Sequence, residues 1–236
     1  MRTDTIDLAV ADGTRMRAHV ARPQGGGPHP GLLVFQEAYG VNAHIKDVAG
    51  RFARAGYVAI APELFHRTAP AGFEGDYAAF SSVEQHMQAL TVAGLEADIR
   101  AAHGWLAAAR QIDPRRLACV GYCMGGRVSF IAATTTVALR AAVAFYGGGI
   151  APALLDRAPR AQAPVLFFWG GRDKHIPPPQ RRAVVDALAA AGKPFVNVVF
   201  SEADHAFFCD ARPNFHASAA AQAWALTLAF LGDALR

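Results

Sequence analysis

The sequence predicts an α/β protein with a mostly parallel, doubly wound sheet, helices on both faces and an antiparallel N-terminal hairpin. Short apolar runs such as Gly31–Phe35 alternate with longer helical patterns, which is typical of strands buried on both faces between crossover helices. Thr5–Ala11 and Arg15–Arg22 instead alternate apolar and polar residues around Asp12-Gly13, a dipeptide that favours a hairpin turn. An order of one hairpin followed by strand–helix units is typical of this class.

The other elements follow the hairpin in chain order. The predicted strands after Gly31–Phe35 are Tyr57–Ala61, Leu117–Val120, Ala142–Phe145, Val165–Trp169 and Phe195–Phe200. The predicted helices are Ile45–Ala55, a segment with Leu95, Ile99, Ala102 and Leu106 on one face, Pro179–Ala191, and Ser218–Leu235. Pro62–Ser82 combines prolines, glycines and aromatics without periodicity, which predicts a long loop or lid.

Composition favours one packed domain spanning residues 1–236. Of the 236 residues, 53% are apolar and 18% are charged, the reverse of the balance that disorder needs. The net charge of +4 is scattered rather than clustered, which argues against a nucleic-acid partner. No apolar run reaches the roughly 18–20 residues of a membrane span, and the N-terminus lacks the apolar core of a signal peptide. The expectation is a soluble cytoplasmic protein.

A cysteine follows the Leu117–Val120 strand in the segment Gly121-Tyr122-Cys123-Met124-Gly125-Gly126. This segment has the spacing of a nucleophile elbow, with cysteine in the place of serine. Small flanking residues allow the sharp strand-to-helix turn, and the N–H groups that open the next helix favour an anion at the cysteine. The alternative is a small-residue junction that holds a buried cysteine.

Two later strands are followed by an acid and a histidine. Asp173 lies just past Val165–Trp169, and His205 lies just past Phe195–Phe200. The chain order of nucleophile, acid and histidine is the order of the triad in this architecture. Cys123 would attack an acyl carbon, His205 would move the proton, and Asp173 would orient the imidazole.

Backbone donors for a developing oxyanion are expected on two loops. One is the N–H of Met124, the residue after the nucleophile, and the other is the N–H of Ala38, after the third strand. Glu37, the residue before Ala38, would place a carboxylate near the thiol, disfavour the ionised sulfur and protect it from oxidation. The alternatives for Glu37 are a cap of the helix that begins near residue 44 or a solvent-facing position.

Taken together, these segments resemble the dienelactone hydrolases (carboxymethylenebutenolidases), which are α/β-hydrolase enzymes with a Cys-His-Asp triad. The segments that carry the resemblance are Gly31–Glu37 with Gly40-Val41-Asn42, Gly121–Gly126, Gly171-Arg172-Asp173, and Asp204-His205-Ala206-Phe207. The resemblance implies a triad of Cys123, Asp173 and His205, and a Glu37 that interacts with the resting thiol. It also makes Tyr39, Tyr146 and Phe207 candidate substrate-binding residues.

One departure from that family concerns the substrate carboxylate. The resemblance implies two arginines that hold it, one in the lid and one shortly after the histidine. Here Thr68–Ile99 contains no lysine or arginine, and the first arginine after His205 is Arg212. Because apolar or thiol side chains cannot replace a bidentate guanidinium, we expect a preference for neutral or hydrophobic esters and lactones over small dianions. Arg212 remains a candidate replacement.

The remaining chemistry-bearing residues favour ordinary roles. The three cysteines match no zinc spacing, which predicts free thiols. Cys119 alternates with apolar neighbours and is expected in the core, whereas Cys209 fits either the pocket mouth or a surface loop. His175 and His86 are expected to be polar residues rather than second bases.

The predicted function is therefore a cysteine-dependent hydrolase of an ester or lactone that acts through an acyl-thioester without cofactor or metal. Its partner would be a small-molecule substrate, with neither nucleic acid nor membrane, and its state a monomer or homodimer. Three alternatives remain: hydrolysis of phosphotriesters or thioesters at the same site, a ligand-binding or redox-sensing protein, and a metal site built from Cys123, His205, Asp173 and Glu37.

Overall fold

Eight strands and six α-helices alternate along the computed structural model, which describes residues 1–236. The strands are β1 (Arg2–Ala9), β2 (Arg15–Arg22), β3 (His29–Phe35), β4 (Val58–Pro62), β5 (Ile112–Tyr122), β6 (Ala141–Phe145), β7 (Val165–Gly170) and β8 (Phe195–Phe200). The helices are α1 (Ala43–Arg54), α2 (Ser81–Gln88), α3 (Val92–Ala108), α4 (Met124–Ala133), α5 (Pro178–Ala190) and α6 (Ala217–Ala234), with a 3₁₀ helix at Leu155–Arg160.

The strands form a sheet in the order β1-β2-β4-β3-β5-β6-β7-β8. β1 pairs with β2 and β2 pairs with β4 in antiparallel orientation, whereas β3 is parallel to β4, and β7 is parallel to both β6 and β8. This confirms the predicted α/β class, with a mostly parallel sheet and an antiparallel N-terminal hairpin.

Two compact units divide the chain, Met1–Ala118 and Cys119–Arg236. The expectation of a single domain stays a prediction. No helix in either unit is both apolar enough and long enough to pass through a membrane.

In the first unit, β3 and β4 are buried, as their uninterrupted apolar sequences predict. The turn between β1 and β2 uses Gly13 at φ 86°, a conformation that glycine adopts without steric cost. Asn42 caps α1, because its side-chain oxygen accepts a hydrogen bond from the N–H of Ile45.

The predicted lid segment, Pro62–Ser82, contains turns but no helix or strand between the end of β4 and the start of α2. A buried carboxylate in α3 fixes its first part. Asp98 accepts hydrogen bonds from Arg67 at 2.8 and 2.9 Å and contacts Nε2 of His66 at 3.0 Å. Because Asp98 is fully buried and a buried charge is retained only when it is paired, this cluster ties the start of the segment to α3.

In the second unit, β6 and β7 are fully buried, and α4 begins directly at the end of β5. β8 is the last strand of the sheet and is only partly buried. The loops after β5, β7 and β8 carry Cys123, Asp173 and His205, so the predicted topological positions of these residues agree with the structure.

Candidate active site

Cys123 occupies a strained turn between β5 and α4. Its backbone has φ 55° and ψ −116°, and non-glycine residues rarely adopt a positive φ. Its N–H donates to the carbonyl of Phe145 at 3.0 Å, which anchors the turn to the end of β6. Backbone strain of this kind persists only where the surroundings hold it, and it is concentrated at functional sites.

The glycines around Cys123 make this turn possible. A β-carbon on Gly121 would stand 1.9 Å from the carbonyl oxygen of Gly125, and one on Gly126 would stand 2.5 Å from that of Phe145. Both distances are far below van der Waals contact with rigid backbone atoms. The packing of β5, α4 and β6 therefore requires glycine at both positions, which is the mechanical role that the sequence motif predicts.

The imidazole of His205 links the cysteine to an aspartate. Its Nε2 lies 3.2 Å from Sγ of Cys123, and its Nδ1 lies 2.8 Å from Oδ2 of Asp173. The other oxygen of Asp173 accepts hydrogen bonds from the N–H groups of His175 and Ile176 at 2.8 and 3.2 Å. The structure thus brings together the three residues that the chain order selects, and it fixes both oxygens of the acid.

Electrostatics favour the charged forms of the acid and the histidine. Burial alone would raise the pKa of Asp173, but the hydrogen bond and charge of His205 outweigh it, so the pKa is lowered. For His205, burial lowers the pKa, whereas the negative charge of ionised Cys123 and the hydrogen bond to Asp173 raise it, and the net result is about 10. The imidazolium form of His205 is therefore favoured whenever the sulfur of Cys123 carries negative charge.

Further contacts fix His205, and spacing in the sequence could not reveal them. Oδ1 of Asp204 accepts a hydrogen bond from the His205 N–H at 2.7 Å, and Asn214 donates to the His205 carbonyl at 3.3 Å. The ring of His175 meets the ring of His205 edge-on, with centroids 5.1 Å apart. In the sequence, Asp204 and Asn214 are marked only by their proximity to His205, and His175 only by its proximity to Asp173.

One of the candidate substrate-binding aromatics lies beside the imidazole, and a second packs on the first. Tyr146 has φ 37°, and its ring centroid is 5.1 Å from that of His205. Phe207 packs on Tyr146 at 5.3 Å and on Phe200 at 5.3 Å. Both side chains are fully buried, so they form the apolar wall behind the histidine.

Glu37 is fully buried in the first unit. Its Oε2 accepts a hydrogen bond from the Tyr77 hydroxyl at 3.4 Å, and that hydroxyl accepts one from Nδ2 of Asn42 at 2.8 Å. Its Oε1 has no hydrogen-bond partner. The interpretation of Glu37 as a helix cap is wrong, because Asn42 caps α1. Its interpretation as a solvent-facing residue is also wrong, because the side chain is buried.

The expected oxyanion donors are both at buried positions. Met124 is the first residue of α4, so its N–H has no acceptor within the helix. Ala38 is buried beside Tyr39, whose ring meets that of Tyr77 at 4.6 Å. Tyr77 lies in the predicted lid segment, where the absence of periodicity concealed it from sequence reasoning.

Comparison with models of protein families shows which family the sequence belongs to. The model of the dienelactone hydrolase family matches residues 16–235. This chain belongs to the dienelactone hydrolase family.

Individual relatives agree with the family model. A Methylorubrum extorquens protein provisionally named carboxymethylenebutenolidase is 36% identical over 230 residues, which cover 93% of this chain and 77% of that protein. The carboxymethylenebutenolidase of Pseudomonas putida is 31% identical over 98% of this chain and 97% of its own length. A dienelactone hydrolase-like promiscuous phosphotriesterase from metagenomic libraries superposes with a TM-score of 0.85 at 26% identity, and the match covers all of both chains.

The other two cysteines of this dienelactone hydrolase family member are buried, and all three are free thiols. Burial raises the pKa of Cys119 to about 12, so this thiol stays neutral, in agreement with the predicted core role. Cys209 is fully buried, so its interpretation as a surface-loop residue is wrong. His86 is also buried and contacts the Thr68 hydroxyl at 2.9 Å, an ordinary polar role.

Proposed function

We propose that this dienelactone hydrolase family member is a cysteine-dependent hydrolase of an ester or lactone. The observation that carries the proposal is the continuous chain from Sγ of Cys123 through His205 to Asp173, with contacts of 3.2 and 2.8 Å. The nucleophile stands on a strained turn at a helix N-terminus, where a developing negative charge is favoured.

The proposed acylation begins when Nε2 of His205 takes the thiol proton of Cys123 and Sγ attacks the carbonyl carbon. The new S–C bond forms as the carbonyl π electrons move to oxygen, and the N–H of Met124, with that of Ala38, would stabilise this oxyanion. Collapse breaks the C–O bond, and Nε2 of His205 gives its proton to the departing alkoxide. The products are an alcohol and an acyl-thioester; with a lactone, the alcohol stays attached to the acyl group.

Deacylation uses the same groups in the opposite direction. Neutral His205 takes a proton from water, the resulting hydroxide attacks the thioester carbon, and the C–S bond breaks to release the acid and the thiolate. Asp173 holds the imidazole orientation and stabilises its cationic form in both half-reactions.

Glu37 is proposed to keep Cys123 protonated until substrate binds. A nearby carboxylate disfavours a second negative charge. Its full burial and the hydrogen bond from Tyr77 support a fixed, functional carboxylate rather than a surface group.

The proposed substrates are neutral or hydrophobic esters and lactones rather than small dianions. The buried rings of Tyr146 and Phe207 support an apolar wall near the histidine, and Tyr39 is proposed to contribute a further aromatic. Arg212 is a candidate partner for a single remote negative charge on the substrate, and the anionic members of the substrate panel below test this.

The experiment is a panel of neutral and anionic esters and lactones, assayed with the parent protein and with Cys123→Ala. We expect Cys123→Ala to lose turnover of every substrate, whereas Cys209→Ala, the same change at a buried cysteine outside the triad, retains it. Neutral aryl esters should be hydrolysed faster than dienelactone. Full turnover by Cys123→Ala would contradict the proposal, and a strong preference for dienelactone would contradict the substrate class.

Phosphotriester hydrolysis is a second candidate, because a protein of the same fold that matches this chain over its whole length is a promiscuous phosphotriesterase. The same panel extended to an aryl phosphotriester tests it.

Measurable turnover also separates an enzyme from a ligand-binding or redox-sensing protein. A metal site built from Cys123, His205, Asp173 and Glu37 is disfavoured because Asp173 and Cys123 contact different nitrogens of the His205 ring, so one ion would not reach all of these groups. The three free thiols fit a reducing compartment, and we propose the cytoplasm.

A further inference from the structure

The outer edge of β8 is open. β8 is the last strand of the sheet and pairs only with β7, with Val165 opposite Phe195 and Gly170 opposite Phe200. Because one side of an edge strand keeps its backbone donors and acceptors unpaired, such a strand is a template for another strand.

The hydrogen bonds to β7 show which backbone groups face outward. The N–H of Val165 donates to the carbonyl of Pro194, and the N–H of Gly171 donates to that of Phe200. Backbone groups alternate in direction along a strand, so the even-numbered residues face β7. Phe195, Asn197 and Val199 therefore point their N–H and C=O groups away from the sheet, and no main-chain group of the protein pairs with them.

This edge lacks the features that normally prevent pairing. The segment Phe195–Phe200 contains no charged residue and no proline, although natural edge strands usually carry such residues. Two of its side chains are large, apolar and exposed: Val196 at 44% and Val199 at 47%.

We propose that β8 pairs with β8 of a second copy of this chain, antiparallel and about a two-fold axis at Asn197. A two-fold axis perpendicular to the sheet requires residues on the same face to be paired, which this register satisfies. Phe195 then lies opposite the partner's Val199, and Asn197 lies opposite the partner's Asn197. Each outward-facing pair exchanges two main-chain hydrogen bonds, so the three pairs form about six.

The same register covers both exposed valines. Val199 meets the partner's Phe195 on one face of the sheet, and Val196 meets the partner's Val198 on the other. Aromatic and β-branched residues stabilise antiparallel strands when they lie directly across from one another. The two valines whose exposure the single chain leaves unexplained are thus buried by a second copy.

Charges at the two ends of β8 favour a second copy over an unrelated strand. Lys193 precedes the strand, and Glu202 follows it. In the proposed register Lys193 lies opposite the partner's Ser201, one residue along from the partner's Glu202, and the two-fold axis brings these opposite charges near each other at both ends of the interface. Glu202 also pairs with Arg172 of its own chain, so the dimer would extend an existing ion pair.

Sedimentation velocity of the full chain, from about 1 to 100 µM, tests the proposal. We expect a reversible dimer whose dissociation constant rises by about tenfold or more in Val199→Lys, because two lysines enter one interface. The matched control is Leu226→Lys, a change at another apolar residue, 43% exposed on α6, which should leave dimerisation unchanged. Circular dichroism of each variant confirms folding.

A charge exchange tests the register. Lys193→Glu should weaken the dimer by placing like charges together, and adding Glu202→Lys should restore it. A parent protein that is monomeric at about 100 µM overturns the proposal. So does a dimer that persists in Val199→Lys, or one that dissociates in Leu226→Lys and thereby depends on α6.

Discussion

Replacing Asp173 by asparagine changes one hydrogen bond of the site and preserves its shape. Oδ1 of Asp173 accepts from the N–H groups of His175 and Ile176, and an asparagine oxygen can keep both contacts. The amide NH₂ then takes the place of Oδ2 and faces Nδ1 of His205, which must become an acceptor. The ring proton moves to Nε2, directed at Cys123, and the neutral imidazole can no longer accept the thiol proton.

The expected cost is large because the wrong tautomer removes the base. Replacing the acid of a serine triad by its amide lowers kcat by about 10⁴ with the geometry intact. We expect a similar loss in Asp173→Asn, equivalent to about 5.4 kcal/mol of transition-state stabilisation. The pH profile should change as well. Because Asp173 raises the pKa of His205, its removal lowers that pKa and shifts the basic limb of kcat/KM to lower pH.

The assay is kcat/KM for a neutral aryl ester across the pH range, with circular dichroism to verify folding. Asp204→Asn is the matched control, since Asp204 accepts only the backbone N–H of His205, and it should retain activity within about fivefold. Activity of Asp173→Asn within tenfold of the parent, or a basic limb that stays in place, would refute the reasoning.

Two further predictions concern the elbow and the carboxylate. Gly121→Ala should lower the free energy of unfolding by about 3 kcal/mol or more, because its β-carbon would stand 1.9 Å from the carbonyl oxygen of Gly125. Gly104→Ala in α3, where nothing lies within 4 Å, should instead be neutral or stabilising by about 1 kcal/mol; equal thermal shifts would contradict both. Glu37→Gln should raise the rate at which iodoacetamide alkylates Cys123 by about threefold or more, since a charge that disfavours the thiolate is lost. An unchanged or slower rate would remove the proposed role of Glu37.

Several elements could be predicted because one local pattern determined them. β2 and β8 match their predicted ranges, and α5 and α6 lie within one residue of theirs. The turn around Cys123 could be predicted because the backbone of Gly125 lies too close to position 121 for any side chain. The sequence therefore has to carry glycine there, which makes the motif recognisable. The positions of the acid and the histidine followed from topology, since each lies just past a buried strand.

Other features depend on tertiary contacts that no local pattern encodes. The helix Ser81–Gln88 was missed because it is largely polar, buries only Val83 and His86, and has no side-chain cap. β5 extends back to Ile112 through a proline and three charged residues that are not buried, which concealed its first half. The predicted first strand, Thr5–Ala11, lies at Arg2–Ala9, because its pairing with β2 decides its limits.

Covalent acylation of the Cys123 sulfur during turnover is the central step of the proposed mechanism. Intact-mass and peptide analysis after rapid acid quench of the enzyme with a neutral ester measures this directly. We expect a mass increase equal to the acyl group on the peptide that contains Cys123, and no such increase in Cys123→Ala. An acyl group on another residue, or hydrolysis by Cys123→Ala at the parent rate, would contradict it.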